Sequence, residues 1–466
     1  MEHAPSPADF AFVVGAAFML GILAASFSLA VPLSALAVVA ILGIAWRFAN
    51  LKAVVVFTLA AFFAGAGYFL WYAIRDGASL QKPLNREASL SGIIATEPTE
   101  SAKHEAFVID VPRQHAIEIL APPLAGFRYG DAIAVRGIIR PPDHPGGDPA
   151  IVTAQISLIA HGRGSWLRQR LLDAKHDLAV RFKTALPDDE AALLFGVTFG
   201  GSAGLSTDLA AAMATSGSSY VLAMYGFKMT AVISTIAAIV KGRVPRFALA
   251  AVSGLALTLM VLASGIEPAV VRAAIAVTVA LVATLSGRRL ERRNAITLAA
   301  AGMLVWNPTL LVFDAAFRFS FLSVVGMAYL DAPVRRAWGY AESGFLAWRD
   351  ALASTIAVLA PIVPLSVASD GSFPLSALLS NTILFICMPL TMALGGVLSF
   401  AVEAWSGAAF LIARIASPLM QFEIALIRLC AAMPLAVVLP FGWFAVSALY
   451  YLALGAFAWH HAADIA

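Results

Sequence analysis

Four charged side chains stand inside apolar runs: Lys228, Arg272, Asp314 and Arg318. Lys228 lies in "SSYVLAMYGFKMTAVIS", Arg272 in "GIEPAVVRAAIAV", and the Asp–Arg pair in "FDAAFRFSF". A charge at mid-bilayer costs about 3 kcal/mol or more, so such groups normally face a bundle interior or a wet cavity, often paired. Asp314 and Arg318 have the i,i+4 spacing that lets them pair on one helix. Together the cations suit a hydrated passage for an anion, with Asp314 orienting Arg318 and moderating its grip. Bland readings compete. Arg272, a turn beyond Pro268, can snorkel to an interface. Lys228 can do the same if its helix starts late, and Asp314 with Arg318 can form a purely structural pair.

Glycine and proline mark where those helices break. Gly226 interrupts an apolar run beside Tyr225 and Phe227, and Gly265 precedes Pro268, a residue tolerated in the first helical turn. A broken helix frees backbone groups that need water or protein partners, as in many transport sites. The alternative is a plain loop with a small-residue contact. Other chemistry is sparse. No G-x-x-x-x-G-K-[ST] loop and no H-E-x-x-H occurs. His460, His461 and Asp464 in "WHHAADIA" have no second ligand cluster, and Cys387 and Cys430 sit in apolar segments as packing residues. No metal, cofactor or catalytic site is expected.

The elements that must position these residues are set by composition. Of 466 residues, 60% are hydrophobic and 13% charged, with mean hydropathy +0.84. Soluble domains are about half apolar and about a quarter charged, so a polytopic α-helical membrane protein is expected. The net charge of +3 is too small to argue for nucleic acid by bulk charge. Residues 1–76 hold three apolar runs, at 10–27, 29–46 and 54–74, each near the length that crosses a bilayer. With Glu2 and Asp9 ahead of it and no basic region, the first reads as a membrane helix, not a cleaved signal.

Residues 77–164 differ. Short Val- and Ile-rich runs such as "HEAFVIDV" and "DAIAVRGIIRPP" alternate with turn residues, which suggests a small all-β insert. An OB-fold-like barrel is favoured and a β-sandwich competes. This insert carries 8 Lys and Arg against 9 Asp and Glu, so it has no bulk footprint for a polyanion, and any such contact must be local, through Arg128, Arg136 and Arg140. Residues 165–187 place Leu167, Leu171, Ala174, Leu178 and Phe182 on one helical face, with Arg and Lys dominating the rest. That pattern reads as an amphipathic helix in the membrane interface, with an amphipathic helix packed on its neighbours as the alternative. Residues 188–466 form a second hydrophobic block, with spans expected at 219–240, 247–264, 269–285, 295–306, 310–330, 353–367, 375–400, 408–432 and 436–459. The runs at 191–199 and 209–214 are too short to span. Cationic loops near Arg47, Lys241, Arg288 and Arg335 agree on one orientation: N-terminus cytoplasmic, β-rich insert outside.

The second block resembles the competence domain of the ComEC family, inner-membrane proteins held to carry transforming DNA into bacteria. "NPTLLVFDAAFRFSFLSVVG" is similar to the family's N-P, F-D and F-x-x-S-F run, "GIEPAVVRAAI" to its G-x-x-P-x-x-x-R-A, and the Gly-rich stretch before "YGFKM" to its Ser–Gly segment. The resemblance implies a multi-pass inner (plasma) membrane channel for single-stranded DNA, with Gly226, Lys228, Arg272, Asp314, Arg318 and Ser320 on the pathway. Gly265, Pro268, Asn307 and Pro308 would shape its turns. Many members have histidine where Lys228 stands, and glutamine where Arg318 stands. Longer members carry a metallo-β-lactamase-like domain whose motif this sequence lacks, so no nuclease activity is expected. The partners implied are single-stranded DNA, membrane lipid, an outer DNA receptor and a cytoplasmic helicase-type ATPase. A small-molecule or lipid transporter, or a membrane-embedded enzyme or scaffold with an extracellular recognition domain, are the alternatives.

Overall fold

The computed structural model describes residues 7–27, 52–79, 87–100, 105–111, 117–121, 126–140, 150–222, 225–240, 245–264, 268–285, 292–338, 348–433, 435–438 and 443–462. The expected span at 29–46, and Gly265, lie outside them. The chain divides into two compact units. One comprises Met1–Leu172, Gly242–Thr258 and Gly265–Arg318, the other Asp173–Lys241, Leu259–Ser264 and Phe319–Ala466.

In the first unit the helices Pro7–Ser26 and Lys52–Ser79 lie against each other. The contact is made by glycine on both sides. A Cβ on Gly21 would collide with the carbonyl oxygen of Phe62, and one on Gly65 with that of Phe18. Backbone-to-backbone approach of this kind is how helices associate where lipid removes the hydrophobic drive. The Arg292–Trp306 helix packs on the same pair. Arg293 makes an ion pair with Asp9, and Tyr68 donates to Val305 O at 2.6 Å.

The insert is a closed barrel. Its strands are β1 (Glu87–Ile94), β2 (Thr99–Glu100), β3 (Glu105–Asp110), β4 (Ile117–Ala121), β5 (Ala132–Arg140) and β6 (Ala150–Ala160). The order is β1–β5–β6–β4–β3, and β1 returns to β3 through Ile93 opposite Asp110 and Ile94 opposite Ile109. The β4–β6 pair is parallel and the others antiparallel, while β2 only extends the edge of β3. A single sheet closing on itself is a barrel; a sandwich needs two facing sheets. Strict alternation along β4 and β5 sends Ile117, Ile119, Ile133, Val135 and Ile139 inward, where they fill the interior with Ile94, Phe107 and Ile109.

In the second unit the Asp188–Phe199 helix packs on the long helices Ser376–Ala404 and Ser406–Ala431, which share a core containing Leu194, Val197, Leu398, Ala416 and Met420. The Trp166–Ala185 helix contributes Phe182, fully buried, to this core at 5.5 Å from the ring of Phe195. Its apolar face is therefore covered by protein at that point.

Four helices among the described residues are long and apolar enough to cross a membrane: Asp9–Ser26, Val54–Arg75, Ser376–Ala404 and Ser406–Ala431. The number rises to six if each of two bent pairs is one span. The expected spans at 310–330 and 353–367 fall in broken helices. Ala315–Tyr329 meets Asp331–Ala337 at 48°, and Trp348–Leu359 meets Val363–Ser369 at 51°. Pro361 and Pro364 account for the second break, since neither can donate to the ladder. Tyr450 and Tyr451 then donate to the carbonyls of Ala360 and Pro361, each at 2.9 Å. Arg335 joins the two bent pairs: it binds Asp331 at 2.8 Å, Ser354 at 3.1 Å and the Asp350 carboxylate.

Candidate functional site

Lys228 is fully buried. Its helix, Tyr225–Val240, begins only three residues earlier, because the run from 219 divides into Ser219–Leu222 and Tyr225–Val240. The Lys228 ammonium donates to Gly196 O at 2.8 Å and to Leu222 O at 2.7 Å, and lies 5.3 Å from the Tyr225 ring centroid. Gly196 is in the last turn of Asp188–Phe199, and Leu222 ends its own short helix. Carbonyls at helix C-termini lack intrahelical partners and carry the negative end of the helix dipole. A lysine donating to both places its charge against the negative ends of two helices, and Gly196 O accepts from the Gly200 N–H as well, at 2.9 Å. Gly226 on the same helix is half-buried, and a Cβ there would meet nothing within 4 Å.

The backbone just before this helix is irregular yet buried. Ser216 and Ser218 are both fully buried and lie 2.8 Å apart through their hydroxyls. The Ser376–Ala404 helix satisfies the loop: Ser380 donates to Ser216 O at 3.2 Å and Asn381 to Gly217 O at 3.0 Å. Gly217 has φ +67°, and a Cβ would lie 2.7 Å from Ala377 Cβ. Only glycine fits that turn against that helix. Non-helical backbone at membrane depth is tolerated where protein supplies such partners.

Asp314 and Arg318 do not sit in one uninterrupted helix. The expected span at 310–330 breaks at Asp314, which follows Leu310–Phe313 and precedes Ala315–Tyr329. Asp314 is extended, with φ −98° and ψ 112°, and its Oδ1 accepts from the Phe317 N–H at 2.5 Å. That is an N-cap, in which a side-chain oxygen serves an orphan donor of the first turn. Arg318 follows one turn on, half-buried, its N–H bonded to Asp314 O at 3.2 Å. The carboxylate thus has a local reason to be where it is. Asp314→Ala should cost about 1 kcal/mol of stability, and Asp314→Asn or Asp314→Ser only a few tenths, read as shifts in thermal unfolding of the protein in lipid.

Asn307 and Pro308 form the turn ahead of this break. Asn307 Oδ1 accepts from the Thr309 N–H at 3.0 Å and the Thr309 hydroxyl at 2.7 Å, and Pro308 is buried. Ser320 is buried on Ala315–Tyr329, and its carbonyl accepts from the Ser323 hydroxyl at 2.7 Å. Arg272 lies half-buried in the Pro268–Leu285 helix, which starts at Pro268. Arg272, Asp314 and Arg318 belong to the first unit, Lys228 and Ser320 to the second.

On the barrel, Arg128, Arg136 and Arg140 are all exposed. Arg136 and Arg140 share the outward face of β5 with Ile138. Buried Asp131 fixes the turn bearing Arg128: it accepts from the Arg128 N–H at 3.0 Å and faces His161 Nδ1 at 2.7 Å. The aromatic residues of the barrel are engaged. Phe107 is inside, Phe127 packs edge-on to it at 5.8 Å, and the Arg168 guanidinium lies 4.5 Å over Tyr129 while donating to Ala95 O. Bases have no ready aromatic platform there.

Two buried carboxyls escape a reading by hydropathy. Glu423, 2% exposed, meets the Thr391 hydroxyl at 2.5 Å between the Ser406–Ala431 and Ser376–Ala404 helices. Glu190, at the start of Asp188–Phe199, is 6% exposed and accepts from Gln421 at 3.1 Å. The signal for Glu423 was present: "FEIALIRLC" holds one acid in a run otherwise long enough to span. Among the described residues no cluster of His, Cys, Asp and Glu could hold a metal ion.

Residues 197–463 match the family model described as Competence protein. The matched segment contains Lys228, Arg272, Asn307, Asp314, Arg318, Ser320 and Glu423, and leaves the barrel outside. No curated protein and no solved structure matches the chain. The match covers more than half of the sequence and includes the glycine turn at 217 and the broken span at 314; the chain belongs to the Competence protein family.

Proposed function

We propose that this protein conducts single-stranded DNA across the inner membrane during natural competence. The observation that carries the reading is the family match over residues 197–463, since that family implies DNA uptake. Each phosphate of the strand bears a charge, so passage needs a hydrated route with cationic walls. Arg272 and Arg318 meet the phosphates along it. Lys228, held by two helix ends, keeps the surrounding turns in place. The protein is a conductor and not a hydrolase; a cytoplasmic helicase-type ATPase or the membrane potential supplies the work, and an outer receptor delivers the DNA.

The barrel works as an OB-type module on the outer side, the side assigned by the cationic loops. A ring of β1, β3, β4, β5 and β6 with one parallel pair supports that assignment. OB-folds commonly bind oligonucleotides. With its aromatics engaged, this one grips through phosphates at Arg128, Arg136 and Arg140, with little base stacking.

Binding of fluorescent single-stranded DNA to the full chain in lipid nanodiscs tests this directly. Affinity should fall steeply as salt rises, because bound phosphates release counterions. Replacing Arg128, Arg136 and Arg140 together by Gln should flatten the slope of log K against log salt by about 2, at roughly 0.7 per phosphate contact. Binding indifferent to salt, or a slope unchanged in the triple variant, would contradict the assignment.

A further inference from the structure

Glu423 and Thr391 form a polar pair in the core between two of the longest apolar helices. Glu423 is 2% exposed and Thr391 fully buried. Among the described residues no Lys, Arg or His lies within salt-bridge distance of Glu423. The titratable group facing it from Ser376–Ala404 is Cys387. On its own helix Arg428 is committed to Asp189, and from Asp188–Phe199 Glu190 turns to Gln421. Asp208, on the Thr207–Thr215 helix that also packs there, is exposed.

Burial with no cation in reach among the described residues favours a proton on Glu423, and the contacts of Thr391 accommodate it. Thr391 Oγ1 lies 3.1 Å from Cys387 O and 2.5 Å from Glu423 Oε1. One hydroxyl has one proton to give. If it goes to the Cys387 carbonyl, the short contact to Glu423 needs a proton from the acid. A carboxylate would instead sit in the core with a single hydroxyl to hold its charge, which burial makes costly. In the neutral form Glu423 donates to Thr391 Oγ1 and Thr391 donates to Cys387 O, so both protons are used and no uncompensated charge is buried.

Both helices are weakened at this level. Pro389 lies two residues before Thr391 and Pro418 five before Glu423, each removing a ladder hydrogen bond. We propose that Glu423 is a proton-binding site of the membrane domain. It holds its proton while the helices are closed around Thr391 and gives it to water when they part at the prolines. The step is a simple transfer: the O–H bond of the acid breaks, a water takes the proton, and the carboxylate is left in the wetted gap. An intramembrane acid of this kind is a place where movement of the helices and a proton gradient meet. The site stands independently of what the protein conducts.

Infrared spectroscopy of the full-length protein in lipid at neutral pH, with isotope-labelled glutamate, reads the proton. A carboxylic-acid carbonyl band that shifts with the label should be present in the wild type and lost in Glu423→Gln, with the thermal unfolding midpoint of that variant unchanged, because glutamine mimics the neutral acid. Thr391→Val should keep the band but move it, since the acid loses its acceptor. The proposal is overturned if the wild type shows no such band at neutral pH, if the band survives Glu423→Gln, or if Thr391→Val leaves it unmoved. None of these readouts involves DNA, so they succeed or fail separately from the uptake reading.

Discussion

Lys228→Met should destabilise the protein by about 2–4 kcal/mol. Methionine fills the space but donates nothing, so Leu222 O loses a charged donor and Gly196 O retains only the Gly200 N–H at 2.9 Å. Hydrogen bonds to charged groups contribute about 1.5–3 kcal/mol each, and an orphaned buried carbonyl costs its own desolvation. Lys228→Arg should fare little better, because a guanidinium overfills a fully buried site shaped for an ammonium. Thermal unfolding in lipid and the yield of folded protein measure this. A lysine that merely lined a wet channel would give the opposite pattern: stability kept in Lys228→Met and only transport lost.

The second large effect is expected at the paired glycines of the first unit. Gly21→Val and Gly65→Val each drive a side chain into a backbone carbonyl of the opposite helix. Neither carbonyl can retreat without breaking its own helix, so the two helices must separate. A cost of roughly 3 kcal/mol or more is expected for each, in the range of severe overpacking. The double variant should be less than additive, because the first substitution already breaks the shared contact. Gly67→Ala is the control: it lies on the same helix as Gly65, and a Cβ there meets nothing within 4 Å. Unfolding midpoints should be unchanged for Gly67→Ala and sharply lower for the other two; equal effects at all three positions would contradict the packing.

Why some of this was legible in the residues and some was not has a physical basis. Alternation over "IEIL" and "AIAVRGIIR" is a local property of a half-buried strand, so the β-rich insert could be read directly. Closure into a barrel rests on β1 pairing with β3 and β5 across the sequence, which no local pattern encodes. Hydropathy found the apolar helices but passed over their breaks. Asp314 reads as half of an ion pair when only spacing is seen. As an N-cap it depends on backbone angles, for which the nearby Asn307–Pro308 turn was the only hint. Lys228 was conspicuous as a charge, yet its partners are carbonyls, one of them 32 residues away, and carbonyls are the same in every sequence. Glu423 disappeared into the average of its window, because one acid barely lowers the hydropathy of a long apolar run.

Deleting the gene in a transformable host and scoring labelled DNA that reaches the cytoplasm tests DNA conduction most directly. Uptake should vanish on deletion and return with the wild-type chain. Arg272→Ala and Arg318→Ala, expressed at wild-type level, should restore only a small part of it. Full uptake in the deletion strain, or full restoration by both arginine variants, would contradict a cation-lined route for the strand through this protein.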